Sequence, residues 1–361
     1  MVEENKNLRV LVVGCGNMGA SHATAYHTLH GFEICGLVST GESKKVLNER
    51  LGGNYKLYND FNEALSDTSP DAVCISTYPD THEEYAIKAL ESGCHVFIEK
   101  PLADSVEGAR RVATAAEKAG KKLLIGYILR YHPSWEKFIE LAQGMGKPLV
   151  MRMNLNQQSS GAKWTVHKNL MNSLSPIVDC AVHYIDVMCQ MTRSKPMQVY
   201  AIGARLTDDI PSWNYNYGQL QLRFEDGSVG WYEAGWGPMV SETAFFIKDV
   251  FGPKGAVSII AKDASKAGQS DSIEAHSKTE SLKIHYSDLT QQGIFSRPDE
   301  WIDLTDEPDH QELCNREQRY FLKAILEDID LADPTLDAIN SLKIAFACDE
   351  SVKNGQVVLL N

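Results

Sequence analysis

The chain has 361 residues, enough for a sizeable core and more than one hydrophobic core usually serves, so two domains are expected. Its 48 acidic and 35 basic side chains leave a formal charge of −13 and no basic stripe, which argues against a nucleic-acid partner. No apolar run approaches the ~20 residues of a membrane span, and MVEENKNLRV lacks the charge pattern of a secretory signal, so the chain reads as cytoplasmic with no membrane contact. The eight cysteines, at 15, 35, 74, 94, 180, 189, 314 and 348, form no C-x-x-C pair, which suits reduced thiols better than disulfides or a zinc site.

The apolar run Leu8 to Val13 reads as a strand and runs directly into Gly14-Cys15-Gly16-Asn17-Met18-Gly19. In that spacing Gly14 permits a tight turn, Gly16 lets backbone approach a phosphate, and Gly19 lets the next helix pack closely on the strand. A helix from Ala20 to Leu29 would aim its N-terminus at the anion, and Phe32 to Val38 supplies the next strand. Alone, the motif fits a glycine-rich turn in any α/β protein.

Strands at Asp71 to Ser76, Cys94 to Glu99 and Leu123 to Tyr127 then alternate with helices at Thr81 to Ser92 and Ser105 to Ala119, which predicts a parallel sheet. Asp104 and Glu107 resemble a capping box for the second of these helices. His132-Pro133-Ser134 opens another helix, to about Gln143.

From Leu149 the pattern changes to longer alternating segments, Val150 to Asn156, Gln198 to Leu206, Gly218 to Phe224, Val229 to Trp236 and Phe245 to Val250. These predict an antiparallel sheet with one helix, Ile177 to Thr192, inserted among its strands. Helices at Glu312 to Leu326 and Thr335 to Asn354 close the chain. The polar stretch Ala261 to Glu280 and the acidic stretch Arg297 to Gln311 read as solvated loops or edge hairpins.

Two further constellations carry chemistry. Glu99-Lys100-Pro101 stands at the carboxyl end of a predicted parallel strand, where open α/β sheets place ligands, although Lys100 alone fits a surface residue. Asp179 and His183 are four apart on the inserted helix, so they share a face and can act on one substrate atom. An acid favouring the helix dipole beside a core histidine is the alternative, and a metal pair with Asp186 a third.

The order GxGxxG, then Tyr78-Pro79-Asp80-Thr81-His82, then Glu99-Lys100-Pro101, then Asp179-x-x-x-His183-x-x-Asp186 resembles the glucose-fructose oxidoreductase, inositol dehydrogenase and rhizopine MocA family. The resemblance implies an α/β protein: a Rossmann NAD(P)-binding domain over residues 1–130, then an α/β domain over 131–361 built on a large, mostly antiparallel open sheet. The C-terminal helices are expected to pack back on the first domain, and the open sheet to form a homodimer or homotetramer.

It also implies that Lys100, Asp179 and His183 are catalytic. Expected cofactor contacts are Gly14, Gly16, Asn17, Met18 and Gly19, with Ser39, Thr40 and Lys44 after the second strand. Ser76, Thr77, Tyr78, Pro79 and His82 follow the third, and Glu99, Lys100 and Arg130 complete the set. Substrate contacts are expected at Tyr127, Ile128, Lys163 and Trp164, together with Asp179 and His183.

Oxidation of a secondary alcohol needs a base for the hydroxyl proton and a cation for the developing alkoxide. His183 suits the base, Asp179 can orient it or bind a hydroxyl, and Lys100 supplies the charge; the peptide before Pro101 is a candidate for cis. Val38-Ser39-Thr40-Gly41-Glu42-Ser43-Lys44-Lys45 lacks the acid that NAD enzymes place at this strand end, which leans toward NADP over NAD. Asn172 to Val178 replaces the paired glycines of many relatives, and Ile128 stands where many offer a polar side chain. Trp231, Tyr232 and Trp236 read as sheet-face or subunit-interface residues.

No metal is expected: His27 and His30 have no neighbouring Cys or carboxylate, and His22 reads as packing against the cofactor loop. The resulting expectation is a dehydrogenase or reductase acting on a sugar, sugar derivative or cyclitol. A glycosidase of the same fold that retains NAD, or a dinucleotide sensor without catalysis, are the competing readings.

Overall fold

The computed structural model describes residues 7–241, 247–260, 270, 277–304 and 306–360. The chain divides into two compact units, residues 1–128 with 311–340 and residues 129–310 with 341–361.

The first unit is built from β1 (Leu8–Val13), α1 (Asn17–Thr28), β2 (Phe32–Val38), α2 (Ser43–Arg50), β3 (Leu57–Tyr58), α3 (Phe61–Thr68) and β4 (Ala72–Ile75). A 3-10 turn (Pro79–Thr81), α4 (His82–Glu91), β5 (His95–Glu99), α5 (Val106–Ala119) and β6 (Leu123–Gly126) follow. The six strands lie in the order β3-β2-β1-β4-β5-β6 and every pairing is parallel. Helices cover both faces of such a sheet, so β4 and the last four residues of β1 are wholly buried, which is why their sequences are unbroken apolar runs. The order reverses between β1 and β4, so the crevice beyond their carboxyl ends is the ligand position of this topology.

In the core of this unit Val10, Val12 and Phe97 meet Tyr26 of α1 and Phe321 from the C-terminal segment. The cap of α5 is Ser105, whose hydroxyl accepts from the Gly108 amide at 3.1 Å. This corrects the expected Asp104/Glu107 box: the helix starts one residue later, and Glu107 stands in the first turn as a favourable charge.

A 3-10 turn (Ile128–Tyr131) leads into the second unit, which continues with α6 (Pro133–Gly144), β7 (Val150–Gln158) and α7 (Gly161–Leu170). A π-helical turn (Ile177–Ala181) then leads into α8 (Val182–Thr192). Next come β8 (Pro196–Ala204), β9 (Tyr217–Phe224), β10 (Val229–Gly237), β11 (Lys248–Gly252), β12 (Gly255–Ile260), β13 (Ser281–Tyr286) and β14 (Glu300–Asp303). The chain continues through α9 (His310–Leu326), α10 (Ala332–Asn354) and β15 (Val358–Leu359).

The sheet runs β14-β13-β12-β11-β7-β10-β9-β8-β15 and is antiparallel at every pair except β7/β10. Strand β9 shows the logic: Gly218, Leu220, Leu222 and Phe224 are buried, and Gln221 and Arg223 face out. One face receives α6 and the π-helical turn, with Tyr184 stacked on Tyr232 at 4.8 Å between ring centroids. The opposite face stays open, and holds an apolar depression of about 640 Å³ lined by Tyr200, Val229 and Trp231 among others.

Short elements are where the sequence pattern was weakest. Only Lys44 and Leu47 are buried in α2, and only Trp164 in α7, so neither shows a helical period. Of the expected strand Phe245 to Val250, residues 245–246 lie outside the described residues, as does most of 261–280. The acidic stretch after Arg297 does contain an edge strand, β14.

Two predictions follow from local geometry. A Cβ on Gly19 would stand 1.8 Å from the Gly14 carbonyl oxygen, a backbone group that cannot swing aside. Gly19→Ala is therefore expected to lose about 3 kcal/mol, at the upper end for overpacking, in urea denaturation, whereas Gly16→Ala, with nothing within 4 Å of its added methyl, keeps its midpoint. His95, at the start of β5, is driven down from 6.5 to about 4 by burial and by the charges of Lys121 and Lys122. Its Nδ1 accepts from the Lys122 amide at 3.0 Å, a bond that the neutral ring makes. A depressed folded value contributes stability above pH 6.5 that is lost as pH falls toward about 4. Wild-type stability minus that of His95→Asn should decline across this window, and a flat difference would contradict the assignment.

Candidate functional site

The glycine loop after β1 has the form its spacing predicts. Gly14 has φ +91°, and a Cβ there would meet the Ser76 carbonyl oxygen at 2.3 Å, so only glycine fits against the end of β4. Gly16 is the N-cap of α1, with no side-chain cap bond, no acid in the first turn, and open space around it. The first-turn amides of α1 therefore lack the side-chain partners that close most helix starts, which suits an anionic pyrophosphate. Asn17 and Met18 occupy that first turn. Cys15 between the glycines is inert: burial pushes its thiol up to about 12, against a smaller opposing effect of Lys44.

Beyond β2, the Ser39 and Ser43 hydroxyls are 2.9 Å apart and Thr40 is exposed. Lys44 is buried, and its ammonium donates to the carbonyls of Ser39 (2.6 Å) and Gly41 (2.9 Å) and to Asn59 Oδ1 (2.7 Å). It thus closes the loop. Lys45 pairs with Glu42 at the surface.

Past β4, Ser76 and Thr77 are half-buried, Tyr78 is exposed and Pro79 is buried. The His82 ring ties two strand-end loops together, Nδ1 to the Pro101 carbonyl at 2.8 Å and Nε2 to that of Thr77 at 3.1 Å.

Lys100 follows Glu99 at the end of β5, and the Lys100–Pro101 peptide is cis. Glu99 is buried, and His22 Nε2 donates to its Oε1 at 2.8 Å. Burial works against its ionisation, but the His22 bond and the charge of Lys100 outweigh it and hold the carboxyl below the usual range. The carboxylate lies over Gly126, where a Cβ would stand 3.2 Å from it. Tyr127 and Ile128, next along, are both buried.

In the second unit, Asp179 lies in the π-helical turn and His183 in the first turn of α8, and both are buried. A π turn widens the helix by one residue and is common at functional sites. The turn is pinned from below: Ser175 Oγ accepts from the Val178 amide at 3.1 Å and donates to Asp349 Oδ1 at 2.7 Å, an oxygen that also accepts from Tyr215. Cys180 Sγ lies 3.4 Å from Asp179 Oδ2. Sequence reasoning missed Ser175, Tyr215 and Asp349, because Asp349 stands on α10, far along the chain.

Arg130, expected near the cofactor, directs its guanidinium fork at Asp186, with Nε donating to Oδ2 at 2.9 Å. Gln190 donates to the same carboxylate at 2.8 Å. Asp186, the last residue of the Asp-x-x-x-His-x-x-Asp motif, is thereby an anchor for the segment after β6. Lys163 is exposed, and Trp164 is buried with Nε1 3.5 Å from Asp209 Oδ2. Trp236 donates to Gln157 at 2.9 Å and is stacked by His167.

Comparison with known proteins bears on both units. Residues 8–127 match the family described as "Oxidoreductase family, NAD-binding Rossmann fold", and residues 141–257 match the "GFO/IDH/MocA C-terminal domain". The inositol 2-dehydrogenase of Klebsiella pneumoniae (strain 342) is 29% identical over 188 residues, covering 50% of this chain and 53% of that protein. The myo-inositol 2-dehydrogenase of Thermotoga maritima is 25% identical over 228 residues, covering 62% and 67%. The chain thus spans about half the length of the first of these curated relatives.

Among solved structures, scyllo-inositol dehydrogenase from Lactobacillus casei, with bound NAD(H) and scyllo-inositol, matches 98% of this chain and 99% of its own with a TM-score of 0.75 at 20% identity. GenD2 from gentamicin A biosynthesis, in complex with NAD, covers 99% and 97% with a TM-score of 0.74, also at 20% identity. Among the described residues, no helix is long and apolar enough to cross a membrane. With its parallel nucleotide-binding sheet and its open antiparallel sheet matched in that order, the chain belongs to the GFO/IDH/MocA family of oxidoreductases.

Proposed function

We propose that this protein is an NAD-dependent dehydrogenase that oxidises a secondary hydroxyl of a cyclitol or sugar, with Lys100, Asp179 and His183 as its catalytic residues. The observation that carries the reading is Lys100 at the end of β5, beside a Glu99 kept ionised in the interior, in a sheet whose glycine loop offers an uncapped helix start. Glycines 14, 16 and 19, with Asn17 and Met18, would hold the pyrophosphate, and Ser39 and Thr40 would meet the ribose. When bound, the nicotinamide supplies the hydride acceptor.

His183 takes the hydroxyl proton while the hydride leaves the same carbon with its electron pair, so the alcohol becomes a ketone and the imidazole an imidazolium. Lys100 would stabilise the negative charge that builds on the oxygen. Asp179 orients the ring or binds a neighbouring hydroxyl.

The inositol dehydrogenases among the relatives support a cyclitol over an aldose. Lys44 bears on the cofactor. With its ammonium turned onto the Ser39 and Gly41 carbonyls, it supports NAD rather than the NADP to which the sequence leans.

For assembly we propose a homodimer or homotetramer through the open face of the second unit's sheet. Tyr200, Ile202, Val229 and Phe251 leave large apolar side chains exposed on that sheet, more than an isolated soluble face usually carries.

In an assay of a panel of inositols, sugars and sugar phosphates with each nicotinamide, NAD with an inositol is expected to give the highest kcat/KM. His183→Ala and Lys100→Met should each lower kcat by about 10²-fold or more, and His183→Ala should leave the Kd for NADH within a few-fold. Near-normal turnover in either variant would remove that residue from the mechanism. For assembly, light scattering of the wild type should give a dimer or tetramer mass, and Ile202→Glu should shift it toward the monomer. A monomeric wild type would refute the interface.

A further inference from the structure

We propose that His22, Cys314 and Glu317 form a binding site for a divalent metal ion of the zinc class within the first unit, fastening α9 to α1. The three residues are buried, and each offers a ligand atom lying within 4.8 Å of the other two. Cys314 and Glu317 are three residues apart on α9 and so share a face, and His22 is one of the buried residues of α1.

The observation that points to a ligand is Glu317. Its side chain is wholly buried, and among the described residues neither carboxylate oxygen has a hydrogen-bond partner. Buried polar groups are almost always paired, and an unpaired carboxyl in the interior is among the costliest groups a fold can keep. A cation shared with the neighbouring thiol and imidazole satisfies the Glu317 carboxylate.

The donor chemistry selects the ion. One sulfur, one imidazole nitrogen and one carboxylate match zinc, whereas calcium and magnesium take oxygen ligands. A thiolate and a carboxylate bring two negative charges, which a dication cancels. His22 is also held as metal-bound histidines usually are: its Nε2 donates to Glu99 at 2.8 Å, which leaves Nδ1 to ligate. Nδ1 now accepts from the Gln318 amide at 3.0 Å, and that amide would turn away. Ligand atoms sit about 2.0–2.3 Å from zinc, so the three must draw together by roughly 1 Å, a side-chain adjustment.

The site joins residues from opposite ends of the sequence, where a cross-link restrains the unfolded chain most. Neither Asp179 nor His183 takes part, but His22 also holds Glu99 beside Lys100, so the site is tested by its metal content and not by activity.

The test is the metal content of the full-length protein, as purified and after incubation with excess zinc followed by desalting. The wild type is expected to hold about one zinc per chain, and Cys314→Ser and Glu317→Gln each less than about a tenth of that. His183→Ala should keep the full content, and loss of zinc there would move the site to the second unit and overturn the proposal. Cobalt-exchanged wild type should show a thiolate-to-cobalt charge-transfer band, a readout that stands even if a variant fails to fold. A wild type without stoichiometric zinc and without that band, or variants that bind as much zinc as the wild type, would refute the site and leave Glu317 a buried neutral acid.

Discussion

The hydrogen bond from His22 to Glu99 is the contact around which the first unit's site is arranged. A carboxylate at the end of a buried parallel strand would ordinarily take up a proton. Here the imidazole beneath it and the ammonium of the next residue keep it charged. The consequences reach outward: a Cβ on Gly126 would crowd the carboxylate at 3.2 Å, and Lys100 leaves the strand beside a negative charge. His82 performs the matching task for the neighbouring loops by bridging the Thr77 and Pro101 carbonyls. The loop ends at the carboxyl edge of the sheet are thus tied by buried imidazoles rather than left to solvent.

The second unit solves a different problem. The segment carrying Asp179 and His183 starts with a π turn held by Ser175, Tyr215 and Asp349. Burial pushes the Asp349 carboxyl up, and its two hydrogen bonds offset only part of that effect. The segment Asn172 to Val178, which contains no glycine, gains its order from this network. Arg130 and Asp186 supply a further tie within the unit, so a motif residue that resembles a ligand in sequence serves as an anchor.

Legibility followed the strength of the periodic signal. The parallel strands, the long helices and the alternating strands of the second sheet announced themselves, because burial on both faces or on one leaves a continuous or a period-2 apolar pattern. Helices α2 and α7 did not, since each buries so little that no face is marked. Lys44 shows the matching limit for sites: spacing places a lysine after β2, and only the fold shows its ammonium turned onto carbonyl oxygens. Cys314 and Glu317 escaped notice for a different reason, their separation from His22 by almost the whole chain, although a thiol and an acid three apart on an amphipathic helix were visible.

Spacing along the backbone determined the glycine loop, the strand carrying Glu99-Lys100, the helix carrying Asp179 and His183, and the division into a parallel and an antiparallel sheet. These are properties of neighbours, and the sterics of a glycine or the period of a strand act over a few residues. Folding alone decided which polar side chains are satisfied and by whom: His22 with Glu99, Arg130 with Asp186, Ser175 with Asp349, and Glu317 with no protein partner among the described residues. Hydrogen bonds and charge pairing depend on ångström distances between residues brought together from remote parts of the chain, and no local pattern encodes them.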